Sequence, residues 1–258
     1  RNLVIRESEK AEDLMINLVT FYEDDELFKE YSDAVVKAFS EVSTIVNNVN
    51  LRKAAVAIGD FEKIYYGDGL IYDSIGGYKF RISANSFFQT NTLQSENLYK
   101  TALEFADLKG KETVYDLYSG AGTIAIFISG YAENVYAFES VEPAVKDAEE
   151  NLKLNKINNV KFFIADLYKT FLPLLKNSNL PSPDVIIVDP PRSGMHKNTI
   201  EDVINLSPRK IVYVSCNPGT QVRDIKLFVE SGYKLIKIKP VDMFPHTYHI
   251  ENVALLIK

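Results

Sequence analysis

Asp116-Leu117-Tyr118-Ser119-Gly120-Ala121-Gly122-Thr123 follows directly on an apolar run that begins at Thr113. Thr113–Leu117 reads as a buried strand. Two glycines one residue apart let the backbone turn tightly and approach a ligand at the N-terminus of the helix that follows. The next strand, Asn134–Glu139, ends in an acid, and a carboxylate there can accept hydrogen bonds from both ribose hydroxyls of an adenosine. Strand, glycine turn, helix, strand and acid form a nucleoside-cofactor half-site. A plain turn with a surface Glu is the bland alternative.

Outward from this unit the pattern repeats. Downstream, Val160–Ala165, Asp184–Asp189, Lys210–Ser215, Tyr233–Lys239 and Val253–Lys258 read as strands between helical stretches. Pro143 suits the first turn of one helix, lined by Ala144, Ala148 and Leu152. Upstream, Asn91 with Gln94 resembles a capping box, and Leu98, Ala102 and Phe105 give its helix an apolar face. Such alternation predicts an α/β fold: a parallel-dominated sheet with helices on both faces.

Before about Ile82 the alternation is absent. Leu3–Arg6 and Leu14–Thr20 read as short strands, and Ser43–Val46 as β-like. Glu26–Phe39 reads as a helix with Leu27, Tyr31, Val35 and Phe39 on one face. Gly67-Asp68-Gly69 and Gly76-Gly77 are turns, and Tyr78–Ile82 alternates as a half-buried strand. The expected organisation is a small α+β subdomain over residues 1–82 and a larger α/β domain over 83–258.

The chain has 258 residues, 46% hydrophobic and 25% charged, as in an ordinary soluble protein. No apolar run approaches membrane-spanning length. It begins at Arg1, as a piece of a longer or processed protein would. Cys216 is the single cysteine, which excludes an internal disulfide or a cysteine-built cluster and favours a cytoplasmic setting. The net charge of −6 argues against binding nucleic acid by bulk electrostatics alone. Lys53, Lys63, Lys79 and Arg81, and later Lys234, Lys237 and Lys239, form either a local basic lip or a solvated mixed surface.

Three stretches carry chemistry beyond the glycine turn. Val188-Asp189-Pro190-Pro191-Arg192 ends a strand in an acid and a stiff turn with no backbone donors at the two prolines. Ser215-Cys216-Asn217-Pro218 places the cysteine where a strand stops, at the edge where open α/β sheets bind ligands. A lone cysteine is by default a small core hydrophobe; at that edge it is a candidate nucleophile. His246-x-x-His249-x-Glu251 reads as metal ligands or as a loop over the site with Glu251 as an acid or base. Gly120-x-Gly122-x-x-Ala125 also passes as the fingerprint of an NAD-type oxidoreductase. It serves S-adenosyl-L-methionine equally, and no second half-site for the other nucleotide is visible.

Taken together, Ser86-Phe87-Phe88-Gln89-Thr90-Asn91, Asp116 to Thr123, Asp189-Pro190-Pro191-Arg192, Ser215-Cys216-Asn217-Pro218 and Phe244-Pro245-His246-Thr247 through Glu251 resemble the RNA (uracil-5-)-methyltransferases, in that family's order. The resemblance covers the chain from the eighties to the end. The opening third resembles the family's small central domain. It implies a class I S-adenosyl-L-methionine-dependent methyltransferase fold, Rossmann-like, that makes 5-methyluridine in RNA, ribosomal RNA ahead of transfer RNA. By resemblance Cys216 is the nucleophile and Glu251 the base. Gln89, Tyr118, Glu139 and Asp189 are the expected cofactor-site positions, with Gly120 and Gly122 forming the turn and Thr123 or Asp166 contributing. No metal is implied. Ser119 stands where the family often has a cysteine that is not the nucleophile. The N-terminal β-barrel and four-cysteine iron–sulfur site of some members have no counterpart in these residues. A catalytically inert RNA-binding module is the non-enzymatic alternative. An amino-group methyltransferase would use the Asp189 turn but would not need Cys216.

The chemistry requires these groups. Uracil carbon 5 is a poor nucleophile until a thiolate adds to carbon 6, and the carbon 5 proton must later leave. An enolate needs a stabilising polar group, Asp189 or Gln89. The target base must also leave its stack, with Phe87, Phe88 and Tyr118 as candidate stacking partners and core packing as the alternative for at least one phenylalanine.

Overall fold

The computed structural model describes residues 1–8, 10–51 and 59–258. The chain divides into two compact units, Arg1–Phe88 and Gln89–Lys258.

In the first unit, β1 (Asn2–Ser8) and β2 (Asp13–Thr20) pair antiparallel. Helix α1 (Asp25–Ala38) then crosses over to β3 (Thr44–Val49), which pairs parallel with β2. β4 (Phe61–Tyr66) closes a four-stranded sheet, and β5 (Leu70–Ile75) with β6 (Tyr78–Ser83) forms a separate hairpin. The strands at β4 and β5 have no counterpart in the sequence reading. β4 carries exposed Phe61, Ile64 and Tyr66 and lacks a clean alternation of buried and exposed residues. The Gly76-Gly77 turn has φ of 59° and 86°, as a tight hairpin demands. Helix α1 turns inward a face that keeps Tyr31 and Val35 of the expected stripe and drops Leu27 and Phe39. Phe28 and Ser32 are buried, with Tyr31, Val35 and Val36 packed on Ile16, Val42 and Ile45, while Leu27 and Phe39 stay exposed. Phe88 packs on Met15, Val46, Ile71 and Ile82, but Phe87 is 76% exposed. Lys63 is held by Glu23 and Asp25. Lys53 lies outside the described residues.

The second unit opens with α2 (Thr92–Ala106), capped by the Asn91 side chain on the Gln94 amide. Then follow β7 (Thr113–Leu117), α3 (Thr123–Ile128), β8 (Asn134–Glu139), α4 (Glu142–Leu154) and β9 (Val160–Ile164). Next come α5 (Leu172–Asn177), β10 (Val185–Val188), α6 (Lys197–Leu206), β11 (Lys210–Ser215), α7 (Pro218–Glu230), β12 (Lys234–Val241) and β13 (Glu251–Ile257). The sheet order is β12-β13-β11-β10-β7-β8-β9. Strands β7 to β11 are parallel, and β13 inserts antiparallel between β11 and β12. The chain winds outward from β7 through β8 to β9, then crosses to β10 on the other side. That reversal opens a crevice at the C-terminal ends of β7 and β10, where such sheets bind ligands.

The two faces of the sheet follow from the period-two alternation of a strand. Tyr115, Leu117, Phe138, Ile186, Val188, Ile211, Tyr213, Ala254 and Leu256 join one core with residues of α5, α6 and α7. The intervening residues face the layer of α2, α3 and α4, which contacts the same strands from the opposite side. Helix α2 is pinned at both ends. The buried Lys210 ammonium donates to the Ala106 carbonyl at 2.8 Å, satisfying the helix C-terminus. The Asn91 side chain donates to Met243 O at 3.1 Å beyond β12.

β12 is the sheet's edge. Lys237 lies over the Phe105 ring and Lys239 reaches Glu104, both on α2. Lysines on an edge strand blunt it against further pairing. Among the described residues no helix is long and apolar enough to cross a membrane.

Candidate active site

Five side chains with chemistry stand at one edge of this sheet, and strand parity puts them on one face. Asp116 lies between Tyr115 and Leu117, whose side chains join the α5–α7 core, so it faces α2. Glu139 and Asp189 follow Phe138 and Val188 of that core and so lie on the side of the sheet that α2, α3 and α4 cover. Ser215 pairs with Asn252, and Asn252 exchanges hydrogen bonds with Gln221 on the α7 side. Continuing the antiparallel register sets Cys216 opposite Glu251, both on the α2 side. The buried Tyr99 of α2 supports this placement, since its hydroxyl feels the charges of Asp189, Asp116 and Glu251.

The acids repel one another and are short of solvent. Asp116 is fully buried with no well-formed hydrogen bond to either carboxyl oxygen, and the approach of the Ala125 amide only partly offsets the burial. Burial first, then Asp189, pushes its carboxyl well above the ordinary range. Burial pushes Asp189, which is only partly screened from solvent, up to about 7. Glu251 is pushed up to about 8, by burial first and then by Asp189, with the Arg192 guanidinium pulling the other way. The Cys216 thiol is half-buried and rises for the same reasons: burial, then Glu251 and Asp189, against Arg192.

The glycine turn is built as its sequence suggests, with the two glycines serving different ends. Gly122 has φ of 80°, and a Cβ there would strike Phe162 at 2.4 Å. This glycine lets the turn seat against β9. Gly120 has φ of 53°, and a Cβ would meet nothing within 4 Å. Its amide donates to Glu139 Oε2 at 2.9 Å, while Glu139 Oε1 accepts from the Ser140 and Val141 amides. Oε2 therefore keeps a lone pair for a further donor. Tyr118 takes φ of 66°, a conformation rare for a residue with a side chain. Its ring packs on the α5–α7 core, away from the face that carries Cys216. Thr123 hydrogen-bonds the Tyr99 hydroxyl at 2.9 Å. Asp166 follows β9, the neighbour of β8, and pairs with Lys169 at 3.1 Å. Gln89 lies just before the Asn91 cap of α2.

Two loops are locked together beside the thiol. The Asn217 side-chain amide donates to Arg192 O at 3.0 Å, and Thr220 Oγ1 donates to the same carbonyl at 3.3 Å. Asn217 also caps α7 by accepting from the Gly219 amide. Behind them the buried Asp224 accepts from Tyr213 OH at 2.7 Å and Met195 N at 2.8 Å. The Arg192 guanidinium lies 3.3 Å from His249 Nδ1. His246 and Tyr248 are exposed whereas Glu251 is buried, and among the described residues no group of three or more His, Cys, Asp or Glu is arranged to hold a metal ion.

The charge of this edge discriminates between ligands. Asp116, Glu139, Asp189 and Glu251 line it, with Arg192 as the cation the reactive groups feel. A pyrophosphate at the glycine turn would be repelled. A nucleoside with a cationic tail suits these acids better, since a nearby cation favours their charged forms.

A family model described as tRNA (Uracil-5-)-methyltransferase matches residues 11–258. The chain belongs to this family. Among its relatives, an uncharacterized RNA methyltransferase of Chlorobaculum tepidum is 44% identical over 255 residues, 98% of this chain and 53% of its own length. Another, of Streptococcus mutans, is 42% identical over 258 residues, 100% of this chain and 57% of its own length. The chain thus spans about half the length of the curated relatives it matches. Among solved structures, the Pyrococcus abyssi tRNA (uracil-54, C5)-methyltransferase in complex with S-adenosyl-L-homocysteine matches with a TM-score of 0.81 and 33% identity, over 99% of this chain and 59% of that one. The expected class I methyltransferase fold is thereby met.

Tyr99, Asp224 and the second role of Asn217 are absent from the sequence reading. Tyr99 sits among the apolar residues Leu98, Ala102 and Phe105 and is disguised as core. A tyrosine in a buried helix face, with a hydroxyl to satisfy, is the one signal that marks it.

Proposed function

We propose that this chain is the catalytic portion of an RNA (uracil-5-)-methyltransferase, which methylates carbon 5 of a uridine through a covalent bond to Cys216. One observation carries the reading: parity and register bring Cys216, Glu251 and Asp189 to one face of one sheet edge, with the carboxyl groups raised into the neutral range. A carboxylate of raised pKa is a stronger base than a surface acid, and its task needs that.

The chain's residues divide the work as follows. The Cys216 thiol, pulled toward ionisation by Arg192, releases its proton to solvent and as thiolate bonds uracil carbon 6, and the electron pair of the ring double bond moves to carbon 5 and the carbon 4 oxygen. Asp189, poised at about 7, holds a proton it can share with that oxygen. The Gly120 turn would hold S-adenosyl-L-methionine, whose sulfonium would supply an electrophilic methyl group for carbon 5. Glu251 then takes the carbon 5 proton, the ring double bond re-forms, and the bond from carbon 6 to sulfur breaks to free the thiolate. Glu139 Oε2 offers its remaining lone pair to a ribose hydroxyl, and Gly120, Gly122, Tyr118 and Thr123 shape the turn. Gln89 and Asp166 complete the set from the segment before α2 and from the end of β9. A thiol kept reduced for this work suits the cytoplasm.

RNA carrying 5-fluorouridine tests the proposal, because fluorine does not leave as a proton does. Incubated with S-adenosyl-L-methionine, it should stay attached to the protein through a denaturing gel, and Cys216→Ala should abolish the band. A Cys216→Ala protein that still methylates uridine would overturn the nucleophile assignment. The resemblance favours ribosomal RNA, whereas the matched family and the Pyrococcus enzyme carry transfer RNA in their names. Both RNAs are therefore assayed in parallel.

A further inference from the structure

Tyr248 is 89% exposed, the most exposed of the large hydrophobic side chains among the described residues. It is nevertheless not on a loose tip. The turn beneath it is tied: Thr247 N and Oγ1 both donate to Phe244 O, and Thr247 Oγ1 in turn accepts from His249 N at 3.1 Å. The Tyr248 and His249 rings lie with centroids 4.1 Å apart, tilted at 44°. His249 Nδ1 is 3.3 Å from the Arg192 guanidinium, and the Arg192 carbonyl is held by Asn217, next to Cys216. An aromatic ring is thus held out to solvent on a braced turn, backed by a second ring and a cation. It stands three residues before the buried Glu251.

An exposed ring on a braced support is what an unpaired nucleobase stacks on, since every base presents a π-face and a rigid aromatic loses little entropy in binding it. The base entering the Cys216 edge has left its stack, so its neighbour along the strand has lost a stacking partner too. We infer that Tyr248, braced by His249, is a stacking shelf for a nucleobase adjoining the target uridine. Arg192, hydrogen-bonded to His249, presents its guanidinium to the phosphate between the two nucleotides. This deepens the uridine methylation reading and rests on it. The shelf is indifferent to base identity, because stacking and a phosphate contact carry no hydrogen-bond code.

The chain contains no tryptophan, so Tyr248→Trp introduces a single fluorescent reporter at the shelf. A short uridine-containing RNA carrying a dye at its far end reports binding by anisotropy, independently of that reporter. On binding, the tryptophan emission should be strongly quenched, and an oligonucleotide with an abasic site beside the target uridine should bind about ten-fold or more weakly. Tyr248→Ala should lose the same factor in affinity for the intact RNA, Tyr248→Phe should recover it, and the abasic RNA should bind Tyr248→Ala and the parent alike. RNA bound by anisotropy with unquenched tryptophan, or with no penalty for the abasic neighbour, would overturn the shelf and leave the methylation reading standing. No RNA binding by any variant would overturn both.

Discussion

Asn217 donates its side-chain amide to the carbonyl of Arg192 at 3.0 Å while its Oδ1 accepts from the Gly219 amide. One side chain thus caps helix α7 and bolts the loop after β10 to the loop that carries Cys216. The first role is local, and the second joins segments far apart in the chain.

Asn217→Asp separates the roles. The carboxylate still caps α7, and an acid at a helix N-terminus is favourable. It cannot donate to the Arg192 carbonyl. Urea unfolding should show a change of no more than about 1 kcal/mol, while methyl transfer falls by at least ten-fold. Wild-type turnover would mean that the loops hold their geometry without this bond.

Glu251 makes stability depend on pH in a stated direction. Its carboxyl is raised from 4.5 to about 8 in the folded protein, so between those values the folded state holds a proton that the unfolded chain has released. Its contribution is fully present below about pH 4.5 and is lost as pH rises through about 8. Asp189, raised to about 7, acts in the same sense. Glu251→Gln should therefore exceed the parent in stability at pH 9 by on the order of 2–4 kcal/mol, with a smaller gap at pH 5. Denaturant titrations at the two pH values read the difference; a gap that does not grow with pH removes the basis of this assignment. The same variant should accumulate RNA bound through Cys216, because the carbon 5 proton has no acceptor.

The two glycines of the turn should respond differently to alanine. At Gly122 the added Cβ meets Phe162 at 2.4 Å and a left-handed backbone, so Gly122→Ala should cost about 2–4 kcal/mol in urea unfolding. At Gly120 the Cβ meets no atom of the protein. Gly120→Ala should cost about 1 kcal/mol for its backbone conformation, yet weaken S-adenosyl-L-methionine at least ten-fold in calorimetry. Unchanged affinity would place the ligand elsewhere.

Tyr213→Phe removes the hydroxyl that donates to buried Asp224 at 2.7 Å. Asp224 keeps the Met195 amide and the Arg223 side chain, so the loss should be about 1.5 kcal/mol, the lower end for a bond to a charged group. Asp224→Ala also leaves the Met195 amide without its partner and should cost more. Equal losses in the two variants would show that neither the Met195 nor the Arg223 contact adds to stability.

The strands of the larger unit are readable in advance because they are short runs rich in β-branched and aromatic residues, as in Lys210–Ser215. β4 is not readable, because its Phe61, Ile64 and Tyr66 stand exposed and blur the alternation. The ends of the apolar face of α1 are not readable, because Leu27 and Phe39 suit the stripe as well as Tyr31 and Val35 do. Only the position of Ile16, Val42 and Ile45 decides that Tyr31 and Val35 pack inward while Leu27 and Phe39 stay exposed. Tyr118 illustrates the same limit at the site: its left-handed backbone at 66° turns the ring into the α5–α7 core, which its place in the glycine motif does not reveal.

What the sequence determined by itself is local: the strand, the glycine turn and the acid at Glu139, and the presence of Cys216 where a strand stops. These follow from backbone sterics and from residues near one another in the chain. Only the tertiary structure decided that Asp116, Glu139, Asp189, Cys216 and Glu251 share one face. The physical reason is register. A one-residue slip in the pairing of Ser215 with Asn252 would turn Glu251 to the other side of the sheet, and what holds that pairing is the packing of Tyr213, Ala254 and Leu256 against helices α5 to α7. The raised pKa values of the site are likewise tertiary, since they come from burial and from charges that only folding brings together.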